Sequence, residues 1–123
     1  MREVWVRGIR GAVTVPENSP RVICEATKEL LTLIVKENEI KIEDIISIIF
    51  SVSVDLNAAF PAEAARELGW TMVPLLCTTE IPVPGSLEKC IRVLVHAYLP
   101  RSQAEVRHVY LGEAVKLRPD LHI

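Results

Sequence analysis

The sequence predicts an α+β (mixed α/β) fold, one mixed five-stranded sheet packed on one long helix. Three observations carry that expectation. Five short runs rich in valine and isoleucine are bounded by glycine, proline or polar turn residues. One stretch keeps apolar residues at helical spacing over several turns. No repeat or low-complexity linker divides the 123 residues, so residues 1–123 are expected to form one domain.

The first strand runs from Val4 to Val15 and is punctuated by Gly8 and Gly11. Asn18-Ser19-Pro20 then reads as a helix start, with Ser19 as N-cap and Pro20 at the first helical position. From there Ile23, Ala26, Leu30, Leu33 and Ile34 form an apolar stripe, with Lys28, Glu29, Lys36 and Glu37 opposite, as far as Asn38. A second strand covers Ile45 to Val54. Asn57 to Pro61 turns into a short helix, Ala62 to Leu68, closed by Gly69. Met72 to Cys77 is a third strand, Pro82 to Ser86 a loop, Cys90 to Tyr98 a fourth strand, and His108 to Leu111 a last short one. One long helix covers only one face of such a sheet. The other face, apolar in part, is expected to be an association surface.

Half of the residues are apolar, enough for a real core, and the formal net charge is −2. That balance argues against nucleic acid, which calls for a basic face. The N-terminus lacks the pattern of a signal peptide, and the longest apolar run, Ile45 to Phe50, is too short to span a bilayer. Cys24, Cys77 and Cys90 include no C-x-x-C pair and read as reduced thiols, which places the chain in the cytoplasm.

Several residues stand out chemically. Arg92 interrupts the apolar strand Cys90-Ile91-Arg92-Val93-Leu94-Val95. A guanidinium there is costly unless it makes a structural ion pair or faces a pocket that receives an anion. Arg7 and Arg10, three residues apart on a strand, point to opposite faces, so only one can face a pocket. Glu80 reads alone as a solvated loop acid and Cys77 as a core thiol. His96, His108 and His122 lack ligand spacing, so no metal site is expected. No serine or cysteine has an evident base partner. The residues themselves point to a pocket for a small anionic molecule, without a nucleophile.

In order along the chain, these motifs resemble the monofunctional chorismate mutases of the trimeric, pseudo-α/β-barrel class, as distinct from the all-helical class. The resemblance runs from Arg7-Gly8-Ile9-Arg10-Gly11-Ala12 through Val54-Asp55-Leu56-Asn57-Ala58-Ala59-Phe60-Pro61-Ala62 and Ala65-Arg66-Glu67-Leu68-Gly69-Trp70. It continues through Val73-Pro74, Cys77, Glu80 and Lys89-Cys90-Ile91-Arg92-Val93. It ends at Arg107-His108-Val109-Tyr110-Leu111 and Leu117-Arg118-Pro119-Asp120-Leu121. It implies a homotrimer with active sites between subunits, rearranging chorismate to prephenate for phenylalanine and tyrosine biosynthesis, with no cofactor, metal, nucleic acid or membrane involved.

Residue by residue, the resemblance implies that Arg10 pairs with a substrate carboxylate and that Arg92 reaches the ether oxygen whose bond breaks. Glu80 and Cys77 would lie near the ring hydroxyl and ring edge, and Tyr110 would hydrogen-bond a carboxylate. Phe60 and Arg66 would come from the adjacent subunit, and Leu117 would help close the pocket. The chain departs from the family at Glu63, where a lysine is expected, and at Leu76, where a polar residue is expected. One residue is also missing before Gly69-Trp70. An acid at position 63 repels a dianion unless it pairs with Arg66 one turn away. Two other readings stand beside the mutase: a non-catalytic trimer that binds small carboxylates, and an imine deaminase of similar fold.

Overall fold

Helix α1, Pro20–Asn38, begins and ends where its own chemistry dictates. The computed structural model describes residues 3–117, so Arg118 to Leu121 of the tail motif and His122 lie outside the described residues. At the start of α1 the Ser19 hydroxyl accepts the Val22 N–H at 3.2 Å, and Pro20 occupies the first turn, where no N–H is needed. At its end Glu39 turns left-handed, at φ 52°, and Ile40 N–H bonds back to Val35 O at 3.0 Å.

Five strands form one sheet in the order β3-β2-β4-β1-β5. They are β1 (Trp5–Thr14), β2 (Ile45–Val52), β3 (Leu75–Thr79), β4 (Cys90–Leu99) and β5 (Val109–Leu111). The central strand, β4, runs antiparallel to both β1 and β2, whereas β3 lies parallel to β2 and β5 parallel to β1. The parallel pair β2 and β3 is joined through the short helix α2, Ala62–Glu67, as parallel strands require a crossover. Gly69, at φ 88°, closes that helix.

Side chains alternate across the sheet. Ile9, Val13, Ile48, Phe50, Ile91, Val93 and Val95 face α1 and join its Ile23, Leu30, Leu31 and Ile34 in one buried core. Gly11 lets the helix approach closely: a Cβ there would sit 2.7 Å from Ile34 Cδ1. On the opposite face a 3-10 turn, Gly112–Leu117, lays Ala114 and Leu117 over Ala12, Cys90 and Tyr110 as a second, smaller core. The rest of that face leaves Val6, Leu76 and Tyr98 exposed.

The third strand departs from its sequence-based position. Met72 is 91% exposed in a turn, and pairing starts when the Pro74 carbonyl accepts the Ile48 N–H at 3.0 Å. Proline cannot donate to a ladder, so β3 proper begins after it and continues to Thr79. The other elements match their expected limits to within two residues.

Asn38, 1% exposed, ties the helix end to the approach to β5. Its side-chain amide donates to Ile34 O and Arg107 O, and its carbonyl oxygen accepts the Arg107 N–H, all at 2.8–2.9 Å. Asn38→Ala strands these backbone groups and is expected to cost about 1–3 kcal/mol in urea denaturation, with an unchanged m-value. A loss below about 0.5 kcal/mol would mean that water replaces these bonds without penalty.

Candidate active site

Register sets the site. Arg92 on β4 lies directly opposite Ala12 of β1 and Ser51 of β2, and Ala12 in turn lies opposite Tyr110 of β5. Arg10 is opposite Leu94, one diagonal step from Arg92. Arg10, Tyr110, Ser51 and Arg92 therefore share the sheet face that points away from α1. Glu80 follows directly on β3, and its N–H bonds to Val52 O at 2.8 Å.

The charged pair is held at a distance. Arg92 Nε lies 3.5 Å from Glu80 Oε2, and each side chain is about one-third exposed. The Ser51 hydroxyl donates to the same Glu80 oxygen at 2.7 Å. Both charged groups line a cavity of about 240 Å³, together with Ser53, Asp55, Pro82 and Leu87. The cavity is open, and both charged groups remain accessible from it.

A clamp fixes where β4 begins. Lys89 is left-handed at φ 47°, an unusual conformation for a side-chain-bearing residue. Its N–H donates to both Asp55 carboxylate oxygens, at 3.1 and 3.0 Å. Ser53 donates its hydroxyl to Asp55 and accepts the Cys90 N–H at 2.9 Å, while its own N–H bonds to Cys90 O. Arg92 thus stands two residues beyond a rigid anchor. Burial pushes the Asp55 carboxyl up, but the bonds from Ser53 and from Lys89 N–H outweigh it and hold its pKa below the ordinary value.

Arg7 and Arg10 separate as the strand period requires. Arg7 turns to the α1 side, donates from Nε to Arg101 O at 2.7 Å and lies over the Trp5 ring. Arg10 is exposed on the other face, and its N–H donates to His108 Nδ1 at 2.9 Å. Tyr110 is buried at 7% exposure against Ala12, with Leu117 packed on the same cluster.

Phe60, Arg66 and Cys77 lie elsewhere in the chain. They line a groove of about 440 Å³ shared with Glu63, Leu75 and Leu76, which neither Arg92 nor Glu80 reaches. Cys77 packs its side chain toward the main core, on the opposite face from Glu80. Pairing with β2 uses the backbone groups of Pro74 and Glu80, so by alternation Cys77 presents its N–H and C=O at the open sheet edge. Phe60 is 67% exposed. Among the described residues no ion pair joins Glu63 to Arg66.

Sequence reasoning missed Ser51, Ser53 and Asp55. Two serines four residues apart in an apolar strand, Ser47 and Ser51, fall on one face and are the signal that β2 carries polar groups there. Neither Cys24 nor Cys90 is poised as a nucleophile. Burial raises the Cys24 pKa, reinforced by its hydrogen bond to Glu67, and burial raises that of Cys90 against the pull of Arg92. Among the described residues no three histidine, cysteine or acidic side chains converge as a metal site, and no helix is long and apolar enough to cross a membrane.

A guanidinium facing a carboxylate, on an α+β sheet and without an evident nucleophile–base pair, is an arrangement suited to binding a small anionic molecule by charge and shape. Comparison with known proteins narrows that class. Residues 6–121 match the family described as chorismate mutase type I. The chain is 55% identical over 117 residues to the chorismate mutase AroH of Thermus thermophilus, covering 94% of this chain and 96% of that one. It is 47% identical over 121 residues to the chorismate mutase AroH of Bacillus subtilis (strain 168), covering 98% and 95%. A solved chorismate mutase from Clostridium thermocellum superposes with a TM-score of 0.86 at 50% identity, covering 90% of this chain and 97% of that one. The chain belongs to the type I chorismate mutase family and is an isomerase. These matches favour the mutase over the carboxylate-binding and imine-deaminase readings.

Because the folded-state pKa of Asp55 is depressed, the stability it contributes is present above its unfolded value, about 3.9, and is lost as the pH falls through the folded value. The gap in denaturation free energy between wild type and Asp55→Ala is expected to be full near neutrality and to shrink below about pH 4. A gap independent of pH would show that the Asp55 charge contributes nothing to the clamp.

Proposed function

We propose that the face carrying Arg92, Glu80, Arg10 and Tyr110 is where this chorismate mutase converts chorismate to prephenate. One observation carries the assignment: Arg92 and Glu80 stand 3.5 Å apart in a partly open cavity, leaving both groups accessible to a ligand. Arg92 would meet the ether oxygen and Glu80 the ring hydroxyl, while Arg10 and Tyr110 orient the carboxylates.

The rearrangement breaks one C–O bond as one C–C bond forms and transfers no proton to the protein. Charge and shape are then all the pocket must provide. A millionfold acceleration corresponds to about 8 kcal/mol of barrier lowering. Holding the enolpyruvyl arm over the ring supplies part of it. The rest comes from fixed positive charge where negative charge grows, at the ether oxygen, and Arg92 is placed for that task. Glu80 can accept the ring hydroxyl and stabilise partial positive charge on the ring.

The working unit in this reading is a homotrimer. Val6, Leu76 and Tyr98, exposed on the face away from α1, favour burial by neighbouring copies. Phe60 and Arg66, remote from Arg92 within one chain, would complete the pocket of an adjacent subunit, with Cys77 at the sheet edge and Leu117 closing the mouth. Sedimentation should then give a mass near three chains.

Chorismate loss followed by ultraviolet absorbance, with prephenate identified as product, tests the assignment. Arg92→Ala is expected to lower kcat by about 100- to 1000-fold, the worth of one lost oxyanion donor. Arg92→Lys should be severely impaired too, because an ammonium lacks the planar fork. A near-normal kcat in Arg92→Ala would refute the role. Glu63→Lys is expected to lower KM with little change in kcat, and an unchanged or higher KM would show that Glu63 does not face the substrate.

A further inference from the structure

Three polar side chains make one short row across the sheet. Ser51 lies opposite Arg92 on one side and Thr78 on the other, and Glu80 follows two residues beyond Thr78. The Glu80 backbone is fixed by its bond to Val52 O, but that leaves three side-chain torsions free. Among the described residues only Ser51 and Arg92 reach the Glu80 carboxylate, and both do so at Oε2. The serine contact, 2.7 Å, is a full hydrogen bond, whereas the arginine contact, 3.5 Å, is longer than one.

We propose that Ser51 is a positioning residue for the rearrangement: its hydroxyl holds the Glu80 carboxylate off the Arg92 guanidinium. Left to themselves, a carboxylate and a guanidinium close into two parallel N–H···O bonds. In that state the fork of Arg92 is spent on Glu80 and its field is neutralised before a substrate arrives. Ser51 occupies Oε2 from the β2 side and keeps the pair open. Oε1 is left for a substrate hydroxyl, and the terminal guanidinium nitrogens are left for developing negative charge. Ser51 touches no reacting atom itself. The inference rests on the assignment of Arg92 and Glu80 made above.

Steady-state kinetics with chorismate on the purified chain test it, using Ser51→Ala, Ser51→Thr, Glu80→Gln and the double variant Ser51→Ala/Glu80→Gln. Ser51→Ala is expected to lower kcat about tenfold, the scale of a lost hydrogen bond to a charged group, with KM changing less and the thermal midpoint holding. Ser51→Thr, which keeps the hydroxyl, should recover most of the loss. In the Glu80→Gln background the alanine change should cost nothing further, since the group it positions is gone. If Ser51→Ala does not fold, Ser51→Cys, similar in size and a weak donor, is expected to show the same fall. Ser51→Ala within twofold of wild type overturns the proposal, and so does a loss that simply adds to that of Glu80→Gln. A wild-type rate in Glu80→Gln alone overturns instead the assignment of Glu80.

Discussion

A guanidinium stays charged at every pH at which proteins fold, so placing Arg92 on the central strand puts a permanent cation inside the sheet. Much of the surrounding structure answers to that constraint. The cation needs a counter-charge to be tolerated, yet a counter-charge too well matched would silence it. Glu80 at 3.5 Å, held from behind by Ser51, meets both demands. The Asp55–Ser53 clamp on Lys89 and Cys90 then fixes the strand on which the cation rides. Stability and function meet in that anchor, because the same bonds that lower the Asp55 pKa also set the position of Arg92.

The two faces of the sheet divide the labour. Toward α1 the chain packs isoleucine, valine, leucine and phenylalanine at near-zero exposure, and Gly11 lets the helix sit close. Away from α1 it places serine, arginine and tyrosine, with one small apolar cluster under the 3-10 turn near Tyr110. A face of this kind suits a binding surface shared between copies better than a free surface in water.

Local chemistry was legible in the sequence, and lateral pairing was not. Ser19 and Pro20 announced α1, Gly69 closed α2, and the three-residue spacing of Arg7 and Arg10 put them on opposite faces, because each signal acts within a few residues of chain. The third strand came out displaced because Pro74 accepts one ladder bond without being able to donate. Ser51, Ser53 and Asp55 went unread because their partners, Glu80, Cys90 and Lys89, lie 29 to 37 residues away and meet them only through register. The candidate site residues Arg10, Glu80, Arg92 and Tyr110 were singled out through family resemblance, since nothing local distinguishes Glu80 from a solvated acid. The groove around Phe60 and Cys77 shows the limit of reading one chain, because within it neither Arg92 nor Glu80 reaches those residues.

The strand order has a consequence for how the chain is made. Strands β1 and β2 are separated in the sheet by β4, which emerges only after about residue 90, so the native partner they share is missing for most of synthesis. Until then β1 and β2 wait without their central partner. Ladders that join residue 5 to residue 99 close long loops and slow folding relative to a sheet of consecutive hairpins. The vulnerable period therefore lasts until β4 is made: a nascent chain truncated before β4 should be captured by chaperones or aggregate, whereas one released just past Leu99 already holds the strand that organises the rest.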